Sequence, residues 1–183
     1  HIYLGNYGPA RDKLNAGLAL AREAGQAKTA ALALCHLSYL AYMQGTFADT
    51  QAPASEALAV ARAVGDQKTE ALALNYLSMA AVAHQHDRAL ATRFNEESLA
   101  LRRRIGDKSG IASCLNDMGE AARSQGDHAK AKHHYQESLA IFREIGDRTA
   151  MSVVLYNLGE LAAAQNDPLA ATRYQHEGFA IAQ

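Results

Sequence analysis

The chain has 183 residues, a formal net charge of −1 and only 20% charged side chains. It therefore lacks the basic excess with which nucleic-acid binders neutralise phosphates. No apolar run approaches the roughly 18 residues of a membrane span and no signal peptide is visible, so a cytoplasmic chain is expected.

In chain order, residues 1–4 match the tail of a helix, Gly5-Asn6 its turn, and residues 7–24 a complete second helix. A first full pair follows, 28–44 with 47–64, and it is the least regular. Pro53 lacks an amide hydrogen and crowds the carbonyl of Asp49, so a kink or a late helix start is expected there. The second pair, 68–85 with 88–105, carries one extra residue between Ser78 and Gln85 that a bulge or a lengthened turn must absorb. The third and fourth pairs are 108–125 with 128–145, and 148–165 with 168 to the end. Asp167-Pro168 reads as a helix cap followed by proline at the first helical position, where no amide is needed. Gln183 falls where another Gly-Asp turn would be expected, so the sequence reads as about four and a half units of a longer array in a larger protein.

The pairs repeat one another. Gly65-Asp66, Gly106-Asp107 and Gly146-Asp147 are 41 and 40 residues apart, and Gly25-Gln26 lies another 40 upstream. Halfway between them, Gly45-Thr46, His86-Asp87, Gly126-Asp127 and Asn166-Asp167 keep the same interval, as do Leu37-Ser38, Leu77-Ser78, Met118-Gly119 and Leu158-Gly159 inside the first helices. Gly or Asn just past a helix end tolerates the left-handed conformation of a C-terminal cap. Asp66, Asp87, Asp107, Asp127, Asp147 and Asp167 then suit the N-caps of the helices that follow. Connections this short force neighbouring helices antiparallel. A lone pair cannot bury its apolar stripe, so the copies are expected to stack.

In the unit 111–147, Met118, Gly119, Ala122, Ala131, Tyr135 and Ser138 follow a pattern of large, small, small, small, aromatic, small. The chain thereby resembles the tetratricopeptide repeats in their long form of about 40 residues, as in kinesin light chains and the C-terminal regions of bacterial LuxR-type regulators and signal-transducing NTPases. Leu115 stands at the family's tryptophan position and the terminal proline is missing. The resemblance implies an all-α fold, a right-handed α-solenoid of antiparallel helix pairs with about nine helices. It divides the chain into a partial repeat 1–25 and repeats 26–65, 66–106, 107–146 and 147–183. Gly119 and Ala131 would let two helices touch backbone to backbone, and Gly119→Leu should overpack that contact by roughly 1 to 3 kcal/mol.

The resemblance also places the first helices on a concave, ligand-bearing side. Position by position, the inward residues become Leu32, Cys35, His36, Tyr39, Tyr42 and Met43, then Leu72, Asn75, Tyr76, Met79 and Val82. Ser113, Asn116, Asp117, Glu120 and Arg123 follow, then Val153, Tyr156, Asn157 and Glu160. Such a groove is aromatic at one end and acidic at the other. Tyr39, Tyr42, Tyr76 and Met79 offer contact area for apolar anchors or simply pack on neighbouring helices. Asn75, Asn116 and Asn157 suit a peptide backbone or are solvated amides. Glu120 and Glu160 point to a basic or amine-bearing partner.

Other clusters read blandly. Cys35 and Cys114 are taken as small buried hydrophobes and not as a disulfide. His84, His86 and Asp87, and the pair His133-His134, are loop or surface histidines, since metal binding needs three or four convergent ligands. Arg102, Arg103 and Arg104 fan around a solvated helix face. There is no phosphate loop, nucleophile elbow or HExxH, so no catalytic residue, cofactor or metal is assigned. The expected function is a protein or peptide interaction scaffold in a bacterial regulator, against the alternative of a small-ligand sensor controlling an attached NTPase or DNA-binding domain. Self-association through exposed repeat ends is a further possibility.

Overall fold

A computed structural model describes residues 7–182; the helix tail expected at 1–4, its Gly5-Asn6 turn and Gln183 lie outside them. The described residues are all-α, with nine helices, one 3₁₀ turn and no strand. They fall into two compact units, residues 1–105 and 106–183.

The first unit holds α1 (Gly8–Glu23), α2 (Ala27–Met43), the 3₁₀ turn Phe47–Asp49, α3 (Gln51–Val64), α4 (Gln67–Ala83) and α5 (Arg88–Ile105). Successive helices pack on one another, and the first helices α2 and α4 also meet. Fully buried Ala54, Ala57 and Ala61 line α3 and allow close approach to a core containing Leu34, Cys35 and Leu77. Pro53 is accommodated by a late start: the 3₁₀ turn comes first and α3 begins at Gln51. The proline thus sits in the first turn, where an amide has no intrahelical acceptor to lose.

The second unit holds α6 (Lys108–Ser124), α7 (His128–Ile145), α8 (Arg148–Ala164) and α9 (Pro168–Ala182). Neighbours again pack in sequence, with α6 also meeting α8. Here the core is larger-grained, built on Tyr135, Leu139, Phe142, Leu155 and Leu158. One device recurs in both units. Buried Ser98 donates to the carbonyl of Ala71 at 2.8 Å, and Ser138, forty residues on, donates to the carbonyl of Ala112 at 2.7 Å. Each hydroxyl is satisfied without widening the helix pair.

The turns follow from local chemistry. All six aspartates cap: the carboxylates of Asp66, Asp87, Asp107, Asp127, Asp147 and Asp167 accept from the amides of Thr69, Leu90, Gly110, Lys130, Ala150 and Ala170 at 2.9–3.3 Å. The extra residue of the second pair goes into the turn. Between α4 and α5 the amide of Asp87 reaches back six residues to Ala81, whereas those of Asp127 and Asp167 reach back five, to the carbonyls of Ala122 and Ala162. His86 takes up the left-handed conformation there, at φ 54°.

Two local expectations are corrected. A Cβ on Gly119 would lie 2.6 Å from two ring carbons of Tyr135, so this glycine makes room for an aromatic ring and not for the partner backbone. Arg102 is buried, its Nε donating to Ser98 Oγ at 3.1 Å, because it occupies the core position that Phe142 holds forty residues later; only its neighbours Arg103 and Arg104 are exposed.

A candidate binding face on the first helices

The exposed side of the first helices is read most clearly at four positions of the repeat. In α2 these are Leu32, His36, Tyr39 and Met43, spaced 4, 3 and 4 residues apart and therefore on one line along the helix. All four are exposed, with Leu32 at 41%, Tyr39 at 44% and Met43 at 47%. The same positions of α4 hold Leu72, Tyr76, Met79 and Ala83. Leu72 and Met79 are half-buried, and Val82 beside them is exposed. The ring of Tyr39 lies tilted over that of Tyr76, with centroids 5.8 Å apart, and Tyr42 packs on Phe47 at 5.4 Å.

Three residues assigned to this face are instead in the core. Cys35 is fully buried, and Asn75 and Tyr76 are each only 8% exposed. The direct packing of α2 on α4 closes over them, and Tyr39 covers the Tyr76 ring. Burial, then the nearby charge of Asp66, pushes the Cys35 thiol up to about 12, so it is inert at neutral pH.

In the second unit the equivalent positions are Ser113, Asp117, Glu120 and Ser124 on α6, and Val153, Asn157, Glu160 and Ala164 on α8. Polar side chains here engage one another. Arg123 forks onto Glu120, with Nε to Oε2 at 3.0 Å and the second bond to Oε1 at 2.5 Å, while the buried Tyr135 hydroxyl donates to Oε2 at 2.9 Å. These bonds, Arg123's first, hold the Glu120 carboxyl below its ordinary range. Asn157 Nδ2 donates to Asn116 Oδ1 at 2.9 Å, tying α8 to α6. Tyr156 and Glu160 are exposed, and Asp117 is half-buried. The acidic character expected of this face is thus partly neutralised from within: Glu120 and Glu160 are both exposed, and Glu120 is paired with Arg123.

The Glu120–Arg123 pair was not foreseen, although its i,i+3 spacing is visible in the sequence. Another feature escaped the sequence reading. Arg22 pairs with Glu56, Arg62 with Glu97 and Arg143 with Glu177, each joining a second helix to the next second helix. The Arg-to-Glu separation of 34 or 35 residues is visible in the sequence once the repeat is set. The pairs are exposed, so they add little stability.

The second unit also has a cavity of about 210 Å³ lined by Ser152, Tyr156, Tyr174, Gln175, Gly178 and Phe179. A wider polar depression of about 480 Å³ lies around Leu139, Arg143, Arg173 and Glu177. Among the described residues, no group of three or more His, Cys, Asp or Glu converges as a metal site, and no helix is long and apolar enough to cross a membrane. His133 and His134 lie with ring centroids 5.7 Å apart, and burial holds His134 below the usual histidine range.

Stacked helix pairs with this cap chemistry define a helical-repeat protein. The tetratricopeptide repeat profile matches residues 69–144 and again 110–183, more than half of the sequence, and the chain belongs to that family. No curated protein matches it. Solved structures share the fold. BtubC (BKLC) from P. vanneervenii is 20% identical, with a TM-score of 0.75 over 97% of this chain and 73% of that one. A Rap protein complexed with Competence and Sporulation Factor is 17% identical, with a TM-score of 0.77 over 87% of this chain and 43% of that one. The apo form of RapI is 19% identical, with a TM-score of 0.74 over 99% of this chain and 68% of that one.

Proposed function

We propose that the chain is a protein- or peptide-binding scaffold, that it binds through the exposed face of its first helices, and that it serves as the interaction region of a larger cytoplasmic regulatory protein in a bacterium. The observation that carries this reading is the line Leu32, His36, Tyr39 and Met43, which leaves large side chains in solvent where the fold does not need them. Contiguous apolar patches on a surface mark interaction sites, where single exposed apolar residues need no explanation. The fold has a precedent for holding a partner in the Rap protein complexed with Competence and Sporulation Factor. Catalysis has no part in the reading.

The small-ligand alternative has the aromatic-lined cavity between α8 and α9 in its favour. At about 210 Å³ it is smaller than the roughly 300–1,000 Å³ usual for small-molecule sites. The wider depression is polar, and its Arg143 is already engaged by Glu177. Scaffold binding therefore stands first.

Selection from a displayed random-peptide library against the immobilised chain tests the proposal. Enriched peptides should lose binding when the first-helix face is changed, by Tyr39→Glu or by Glu160→Lys, and keep it when Arg62, on a second helix, becomes Ala. Enrichment of no peptide, or binding indifferent to both face substitutions, would rule the reading out.

A further inference from the structure

The faces of the two units differ in charge. At the four register positions the first unit offers exposed Leu-His-Tyr-Met on α2 and, on α4, half-buried Leu72, Met79 and Ala83 around the buried Tyr76; the second offers Ser-Asp-Glu-Ser on α6 and Val-Asn-Glu-Ala on α8, where Val153 is exposed. Beyond their first turns α2 and α4 contain no charged residue at all, from Thr29 to Met43 and from Ala71 to Ala83. A charged partner would lose hydration on such a surface with no opposite charge to compensate it. The surface is also poor in side-chain amides, and the exposed hydrogen-bonding groups on the α2 line are the His36 imidazole and the Tyr39 hydroxyl. α2 has no side-chain amide, and Asn75, the one amide of α4 after its first turn, is buried. An extended segment laid there would strand its own N–H and C=O groups, whereas a helix satisfies them internally.

We propose that the first unit docks an uncharged amphipathic α-helix of a partner protein along α2, apolar side chains at i, i+4, i+7 and i+11 meeting Leu32, His36, Tyr39 and Met43. The receptive line is about 16 Å long, three helical turns. It takes its partner as one helix takes another, by ridges and grooves. The inference rests on the scaffold reading and narrows it to one unit and one ligand class. Salt has little hold on such a complex, because no ion pair forms in it.

The probe is a fluorescein-labelled helical peptide of about 18 residues, long enough to hold a helix in water. It carries Leu at i, i+4, i+7 and i+11 on an Ala/Gln background. Two controls accompany it: the same composition scrambled to break the stripe, and a version with Lys in place of Leu. Anisotropy with the whole chain should show saturable binding of the striped peptide, about tenfold or more weaker for both controls. Raising the salt from low to high should leave the striped peptide's affinity within about twofold. Tyr39→Glu and, separately, Met43→Glu should each weaken it about tenfold or more at an unchanged melting temperature, and Arg62→Ala, on a second helix, should leave it alone. Should Tyr39→Glu alone lower the melting temperature, Met43→Glu decides. Equal binding of the scrambled peptide, or no binding of any, overturns the inference. So does a striped-peptide affinity lost with Arg62→Ala and kept with Met43→Glu. If library-selected peptides bind through the second unit while the striped helix does not, the inference falls and the scaffold reading stands.

Discussion

At the scale of single residues, one register position separates two opposite outcomes. Gly119 and Gly159 are equivalent by sequence, yet a Cβ on Gly119 would sit 2.6 Å from the Tyr135 ring, and one on Gly159 would sit 3.6 Å from its nearest neighbour, the Ala171 carbonyl. Tyr135 is wholly buried and held by Glu120, so it has nowhere to move. Gly119→Ala should therefore cost about 1–3 kcal/mol. Gly159→Ala should gain up to about 1 kcal/mol of helix propensity. Urea unfolding of the two variants reads both signs, and a Gly119→Ala protein as stable as wild type would remove the ring contact from the account. Glu120 itself gives a pH signature. Its folded carboxyl titrates below the ordinary 4.5 because Arg123 and Tyr135 bond the charged form. A depressed carboxyl stabilises the fold above its unfolded value and loses that contribution as pH falls through the folded one. The stability difference between wild type and Glu120→Gln should accordingly be flat from neutral pH to about 5 and shrink below about 4.5. A difference that persists unchanged well into acid would show that the charge plays no part.

At the scale of helices and turns, most of the architecture was legible because its causes are local. An aspartate three residues before a free amide caps a helix wherever it stands, and all six do so. The late start at Pro53 follows from one missing amide. The extra residue of the second pair could be located only to a window, because sequence does not say whether helix or turn yields. The turn does, and His86 bears the cost in a left-handed conformation. That conformation disfavours any Cβ by roughly 1–2 kcal/mol. His86→Gly should then raise stability by about 1 kcal/mol, an effect that thermal melting detects; an unchanged or lower melting temperature would count against it. The candidate face was less legible for a physical reason. Periodicity tells which way a side chain leaves its helix, and not how near the next helix comes, so Tyr39 and Tyr76 looked alike. One lies in solvent and the other, 5.8 Å away, lies beneath it. Asn116 and Asn157 are likewise 41 residues apart in sequence and one hydrogen bond apart in space.

At the scale of the whole molecule, a chain built from repeats has no single centre that every residue supports. Each helix is held by its neighbours in the stack, and stability is close to a sum of local terms. The buried clusters respect this: one set runs from Leu18 to Leu77, and another from Ala112 to Leu161. Damage should stay near its source. Leu155, fully buried in the second unit, makes the sharper test. Leu155→Ala should cost about 2–5 kcal/mol locally. Hydrogen exchange should then accelerate in α6–α9 while amides of α1–α4 keep most of their protection, since opening there does not require α8 to be packed. Uniform loss of protection along the chain would mean one cooperative fold in place of a sum of neighbours. The same locality bears on binding: a partner helix lying along α2 would add its protection to α2 and α4 first. The exposed line from Leu32 to Met43 can thus be altered without touching the clusters that hold either unit together.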